Sequence, residues 1–150
     1  MNKRPTSELE KVLKTTHPDN IDSFFEKEES NFYTSNSAFR EYIKELIKGK
    51  KTLHEVFYEA EINEGYGYKI LSGEKHTNKR DIIIRICIAA NLCFEETQTA
   101  LKLYGLSPLY AKTKRDALLI SAINEKLPIS QINRILKTSG FDCLEECGSN

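Results

Sequence analysis

Residues 52–73 read TLHEVFYEAEINEGYGYKILSG and carry the signals of two short helices joined by a tight turn. Thr52 and Glu55 have the spacing of a capping box, in which each side chain bonds the backbone amide of the other residue at a helix start. Asn63 can cap a second helix, because its short amide side chain accepts from the exposed N–H groups of a first turn. Gly73 follows the last apolar residue of that helix, where a left-handed cap favours glycine. The sequence therefore predicts two short helices on either side of Asn63.

The segments that flank this stretch place apolar residues at helical spacing. Residues 38–47 have apolar side chains at i, i+1, i+4, i+5, i+8 and i+9, which predicts an amphipathic helix that Gly49 ends. Two more helices are predicted at about 79–90 and 94–104, with Gly105 after the second one. No window alternates apolar and polar residues for long enough to make a strand. The predicted fold class is therefore all-α.

The N-terminal 36 residues have weaker helix signals. Ser7 with Glu10 forms a capping box ahead of an apolar face, and Asn20 can cap a short second helix. The apolar residues expected on that second helix are Ile21, Phe24 and Phe25. The polar stretch 26–36 is expected to be a loop.

Two segments of the C-terminal half echo each other at an offset of 35 residues. The sequence Lys-Arg-Asp occurs at 79–81 and again at 114–116, and Gly105 recurs as Gly140. The offset relates a helix pair at 79–104 to a second pair at 114–138. We therefore expect two structurally equivalent helical hairpins in succession, too few by themselves for a solenoid.

Two short helices after one long amphipathic helix and before another resemble the lambda-repressor-like (XRE-type) helix-turn-helix regulators. The resemblance covers about residues 37–101 and places Ile62-Asn63 at the turn, Ile70 on the buried face of the second helix and Gly73 at its end. The segment GEKHTNKRDIIIRICIAANL is similar to the segment that follows the motif in this family, without its proline. The whole chain is also similar to a group of small bacterial helix-turn-helix proteins.

The resemblance implies a lambda-repressor-like helix-turn-helix bundle with extra N-terminal helices and a C-terminal helical hairpin. The implied organisation is an N-terminal helical cap at 1–36, a helix-turn-helix domain at 37–104 and a helical extension at 105–150 packed on the same core. The second helix of the motif would enter the major groove of DNA.

The resemblance also implies which residues contact DNA. Base edges would face Asn63, Glu64, Gly65 and Lys69, since an amide can read adenine and an ammonium can read guanine. Phosphates would be held by Lys75, Lys79 and Arg80. Tyr66 and Tyr68 lie ~200° apart on a helix, so one should pack inward and the other should be exposed, free to bind a phosphate or a partner. The DNA-contacting set is Asn63, Glu64, Tyr66, Lys69, Lys75, Lys79 and Arg80.

Three residues depart from the family pattern. Leu53 stands where a glutamine or similar residue usually fixes a phosphate. Phe57 and Gly67 stand where the two motif helices cross and the family has Ala and Val or Ile. We interpret this pair as an exchange in which the Phe57 ring fills the space that Gly67 leaves empty.

Composition excludes several classes of protein. The chain has 22 Lys and Arg against 22 Asp and Glu among 150 residues, so it is neither a strongly basic, histone-like binder nor an acidic solvating protein. No apolar stretch approaches the ~20 residues of a membrane span. No secretory signal is visible at the N-terminus, so a cytoplasmic location with reduced cysteines is expected. The four cysteines and three histidines form no zinc or nucleophile pattern, and we expect no metal, no cofactor and no enzymatic activity.

Two functions follow as expectations. The first is a sequence-specific regulator that binds double-stranded DNA as a homodimer. The alternative is a helical protein-protein interaction adaptor that keeps the helix-turn-helix scaffold without DNA readout, a view favoured by the neutral charge and by Leu53, Glu64 and Gly65. A protein partner would bind through the C-terminal helices.

Overall fold

A computed structural model describes residues 6–23 and 37–146 of the chain. The chain divides into two compact units, residues 1–34 and 35–150. Among its described residues, the first contains helix α1 (Thr6–Lys14), a 3₁₀ turn (Pro18–Asn20) and the helical residues 21–23. The expectations for Phe24, Phe25 and the loop 26–36 lie outside the described residues.

One of the two helix starts expected in the first unit is displaced, and the other lies where it is predicted. Helix α1 begins at Thr6, so Ser7 lies within the helix and not ahead of it. A sequence pattern places a helix start only to within one or two residues. Residues 21–23 are helical, so a helix follows Asn20 as predicted. The 3₁₀ turn that ends at Asn20 is itself capped by His17, whose Nδ1 accepts from the Asp19 amide at 3.1 Å.

The second unit contains seven helices among the residues described. They are α2 (Ala38–Ile47), α3 (Leu53–Ala60), α4 (Glu64–Ser72), α5 (Arg80–Ala89), α6 (Phe94–Tyr104), α7 (Lys114–Asn124) and α8 (Ile129–Thr138). Within 6–23 and 37–146 there is no strand, so the all-α prediction is confirmed. None of the helices described is both long and apolar enough to cross a membrane.

Helix α5 lies at the centre of the core. Its residues Ile82, Ile83, Ile84 and Ile86 have no exposed surface, and the helix packs against α3, α6 and α8. Buried side chains from Phe39 to Leu144 belong to the same hydrophobic cluster. The α7–α8 pair therefore contributes to the same core as α3 and α4.

The 35-residue echo is a true structural repeat. Asn91 has a φ of 61° and Lys126 a φ of 57°, and the helix-ending glycines Gly105 and Gly140 have φ values of 91° and 85°. The side chains of Gln98 and Asn133, 35 residues apart, accept from the amides of Leu109 and Leu144, each at 2.8 Å. The predicted equivalence of the two hairpins, α5–α6 and α7–α8, is confirmed.

Candidate nucleic-acid interface

The α3–α4 pair has the local structure that its sequence predicts. Thr52 Oγ1 accepts from the Glu55 amide and Glu55 Oε1 accepts from the Thr52 amide, both at 3.2 Å, which completes the capping box. Asn63 Oδ1 accepts from the Tyr66 amide at 3.2 Å and caps α4. Gly73 ends α4 with a φ of 82°. These caps fix where both helices begin and where α4 stops.

The two helices cross through the Phe57–Gly67 contact. A Cβ placed on Gly67 would lie 2.6 Å from Phe57 Cδ1 and Cε1 and 2.8 Å from Cζ. Those separations are far below van der Waals contact, and Phe57 is 1% exposed, so the ring has little room to move away. The ring occupies the space that a side chain at 67 would fill, which confirms the predicted exchange.

The exposed side of α4 consists of Glu64, Gly65, Tyr68, Lys69 and Ser72. Glu64 Oε2 lies 3.0 Å from His54 Nδ1, so the carboxylate at the start of α4 is tied to α3. Asn63 is also exposed, although its side-chain oxygen is used by the cap. The surface offered by α4 is therefore mixed in charge.

The two tyrosines of α4 divide as expected. Tyr66 is half-buried and packs against the core, and Tyr68 is 44% exposed. The Tyr68 ring meets Phe57 edge to face, with ring centroids 5.1 Å apart and an interplanar angle of 79°. Of the two, Tyr68 offers more surface to a ligand than Tyr66, the one in the expected DNA-contacting set.

The cations expected to contact DNA fall into two groups. Lys69 and Lys75 are exposed, and within the described part of the chain neither forms an ion pair. The Lys75 amide donates to the Lys69 carbonyl at 3.1 Å, so the two lysines leave the backbone at adjacent points. Lys79 Nζ, in contrast, lies 3.7 Å from Glu145 Oε2.

Arg80 has a partner inside the protein. Its Nη1 and Nη2 donate to the two carboxylate oxygens of Asp116 at 3.0 and 2.6 Å. Arg115 makes the same bidentate contact with Asp81, at 3.2 and 2.9 Å. The guanidinium of Arg80 is thus occupied, and we remove it from the expected phosphate contacts.

These two reciprocal pairs join the repeats through Asp81 and Asp116, a role that local sequence patterns do not predict. Asp116 Oδ2 also accepts from the Tyr110 amide at 2.9 Å, and Asp81 Oδ2 accepts from the Glu145 amide at 3.0 Å. The signal for the pairing was the recurrence of Arg-Asp at an offset of 35, because two equivalent hairpins that pack together can exchange such partners.

Arg85 is a second residue whose role sequence reasoning missed. It is 1% exposed, and its guanidinium donates to the carbonyls of Glu145 (2.7 Å), Leu144 (2.9 Å) and Ala60 (3.1 Å). Glu61 Oε2 lies 3.5 Å from Nη1. Arg85 therefore binds the end of α3 to the C-terminal segment 141–146. The signal was an arginine in the middle of the most apolar stretch of the chain.

Leu53 and Cys87 have structural roles. Leu53 is half-buried against the core and so offers no polar group at the start of α3. Burial raises the pKa of the Cys87 thiol to about 12. In the described ranges no three His, Cys, Asp or Glu side chains are grouped as metal ligands, and Cys147 lies outside those ranges.

Comparison of the chain with protein-family models, curated proteins and solved structures finds no significant match to any of them.

Proposed function

We propose that this protein binds double-stranded DNA through the α3–α4 pair, in the manner of the lambda-repressor-like helix-turn-helix proteins that its sequence resembles. The observation that carries the proposal is the pair of adjacent, unpaired cations, Lys69 on α4 and Lys75 just beyond it, on a capped helix whose other side is buried. In this proposal the protein is a bacterial, cytoplasmic transcription regulator of the XRE type that binds DNA as a homodimer.

Each residue of the interface would have a separate task. Lys69 lies on the exposed face of α4 and would reach a guanine acceptor or a phosphate. Lys75 would hold a phosphate, and the exposed ring of Tyr68 would lie against the sugar-phosphate backbone. The Nδ2 group of Asn63 remains available as a donor, because the cap uses only its oxygen.

A second candidate function is a protein-interaction adaptor. The observation that favours it is Glu64, whose carboxylate lies at the end of α4 that would face the bases and repels phosphates. The formal charge of zero points the same way. Glutamate at this position would still be compatible with DNA where it accepts from cytosine.

A salt titration of DNA binding separates the two functions. Anisotropy of a fluorescent duplex, taken from a selection on randomised DNA, would be followed between 50 and 200 mM salt. The slope of log K against log salt is negative, and each lost phosphate contact reduces its magnitude by ~0.9. Lys69→Ala/Lys75→Ala should therefore reduce the magnitude of the slope by ~2. The control is Lys44→Ala, an exposed lysine on α2.

The outcomes are distinct. A slope that falls in the α4 variant and not in the control supports DNA binding, and Glu64→Gln should then tighten binding because it removes a repulsive charge. Wild-type protein that selects no sequence and shows no salt-dependent binding contradicts the proposal and favours the adaptor.

A further inference from the structure

The turn between α3 and α4 occurs three times in the part of the chain that the structure describes. Each turn has one non-glycine residue in the left-handed region, with φ values of 58° at Glu61, 61° at Asn91 and 57° at Lys126. In each, the amide of the next residue donates to the carbonyl five positions earlier, at 3.0 Å for Ile62, 3.1 Å for Leu92 and 3.1 Å for Leu127. The third residue of each turn has extended ψ and precedes a helix.

Helices α6 and α8 each follow their preceding helix through the same type of turn by which α4 follows α3. The turn itself therefore does not single out α4 as the helix that contacts a ligand. What distinguishes the three second helices is the set of side chains on their exposed faces.

Helix α8 carries cations and no carboxylate. Ser130, Arg134 and Lys137 are exposed and lie at i, i+4 and i+7, so they form one stripe along the helix. The opposite side is fixed in the core by Ile132 and Leu136, which have no exposed surface. A shallow depression of about 230 Å³ runs beside the stripe and is lined by Gln131, Arg134, Ile135, Thr138 and Ser139.

Helix α6 is an internal reference for this face, because the repeat aligns it with α8 at an offset of 35. Where α8 has Ser130, Gln131 and Arg134, α6 has Glu95, Glu96 and Thr99. Only the lysine is shared, Lys137 on α8 and Lys102 on α6. The same backbone thus carries a net negative face on α6 and a positive face on α8.

Two carboxylates near the start of α8, Glu59 and Glu61, have their charge matched. A groove of about 360 Å³ at that end is lined by Glu59 and Glu61 together with Lys51 and Lys126. Glu59 is paired with Lys51, and Glu61 lies 3.5 Å from Arg85. The positive charges of Arg134 and Lys137 have no such partner among the described residues.

We propose that α8 is a second DNA-contacting helix, with Arg134 and Lys137 on phosphates of a duplex and Ser130 and Gln131 at the base-facing end. An acid-free helix with an arginine, a lysine and an amide has charge complementary to the phosphate backbone and donors suited to base edges. The inference rests on the proposed function only in its ligand, duplex DNA, and not on any contact made by α4.

The test uses the full chain and a fluorescent random-sequence duplex, with anisotropy measured from 50 to 200 mM salt. Arg134→Ser/Lys137→Ser should weaken binding about tenfold at 100 mM salt and lower the salt slope by ~2. The matched control compares two single variants, Lys102→Ser and Lys137→Ser. Each removes one exposed lysine at an equivalent position of the repeat, so the two variants have the same net charge. Only Lys137→Ser should lower the slope. Circular dichroism melting checks that each variant folds.

A parallel variant on α4, Lys69→Ser/Lys75→Ser, separates this inference from the proposed function. Loss of binding in both double variants supports both, and loss only in the α8 variant supports α8 alone. Loss only in the α4 variant overturns the role of α8 and leaves the proposed function intact. If the wild-type protein binds no duplex across this salt range, the inference and the proposed function are both overturned. This result is expected if α8 binds an acidic protein surface instead of DNA.

Discussion

Replacement of Gly67 tests the packing at the crossing of α3 and α4. A methyl group at this position would lie 2.6 Å from the Phe57 ring, which is buried and touches Tyr68 on its edge. To accommodate the methyl group, either the Phe57 ring must move or α3 and α4 must move apart. Gly67→Val adds two further methyl groups to the same crowded space.

The magnitude follows from two opposing terms. Replacing a helical glycine by alanine gains ~1 kcal/mol in backbone entropy, while overpacking a core costs ~1–3 kcal/mol. Gly67→Ala should therefore lower the free energy of unfolding by up to ~2 kcal/mol. Gly67→Val, with a branched side chain that a helix favours less, should cost ~3 kcal/mol.

A double-mutant cycle with Phe57 makes the reasoning quantitative. Phe57→Ala alone should cost ~3–5 kcal/mol because it leaves a cavity. In Phe57→Ala/Gly67→Val the valine methyls enter that cavity, so the double variant should be no less stable than Phe57→Ala. The two changes should thus be coupled by at least ~3 kcal/mol, the full cost of Gly67→Val alone. Phe57→Leu replaces Phe57→Ala in the cycle if the alanine variant does not fold.

The assay is urea unfolding followed by circular dichroism, with Gly65→Ala as the control. Gly65 lies in the same helix but is exposed, and a Cβ there meets only Asn63 Oδ1, at 3.3 Å. Since both Gly→Ala changes gain similar backbone entropy, the difference between them measures the ring contact less the strain that a Cβ at 65 places on the exposed Asn63 side chain. Single changes that add to within ~0.5 kcal/mol in the double variant would refute the packing account.

Three further outcomes follow from the ion pairs and the core. Arg80→Leu should cost ~3–5 kcal/mol in urea unfolding, because it leaves the Asp116 carboxylate buried without its cation; Arg80→Leu/Asp116→Leu should recover part of that loss, and a fully additive loss would contradict the pairing. Arg85→Met should speed amide hydrogen exchange in 141–146 at least tenfold, since it removes the donors that bind this segment; unchanged protection would show that the segment is held by other contacts. Burial raises the Cys87 pKa from 9.0 to about 12, so the thiol stabilises the fold below pH 9 and this contribution is lost as the pH rises towards 12; Cys87→Ala should flatten the decline in urea midpoint between pH 9 and 11, and an equal decline in both proteins would contradict it.

The elements of the second unit could be predicted because their signals are local. Thr52, Asn63 and Gly73 each act on backbone groups within a few residues, so the spacing in the sequence already fixes the geometry. The Phe57–Gly67 exchange could be predicted for a similar reason, since the two residues are ten positions apart across one tight turn. A large side chain facing a glycine at a helix crossing conserves volume.

The contacts between distant parts of the chain could not be predicted in the same way. The Arg80–Asp116 pair joins residues 36 positions apart, and nothing in either hairpin alone indicates the partner. Arg85 binds main-chain carbonyls, which every residue has, so its partners carry no sequence signature. An arginine expected to meet a phosphate and one that bridges two hairpins look identical until the packing is known.

The third copy of the turn was hidden for a different reason. The left-handed residues of the three turns are, in chain order, Glu61, Asn91 and Lys126, and only asparagine favours that conformation. The separation also changes, from 30 residues between the first two turns to 35 between the last two, so no single offset aligns all three. In each turn the left-handed residue is followed by an apolar residue. This requirement concerns the turn alone, so the exposed faces of the helices are free to differ.

That freedom bears on how function is assigned to such a fold. If the turn defined the DNA-binding helix, α4, α6 and α8 would be equivalent, yet α6 begins with two glutamates that repel phosphates and α8 has no carboxylate. The exposed face of α4 is intermediate in charge, because Glu64 is paired with His54 and Lys69 has no ion-pair partner among the described residues. The scaffold sets where each second helix can lie, and the charge on its outer face decides whether a polyanion can approach it. Exchanging charges between α6 and α8 at positions 35 residues apart should therefore move DNA binding without changing the fold.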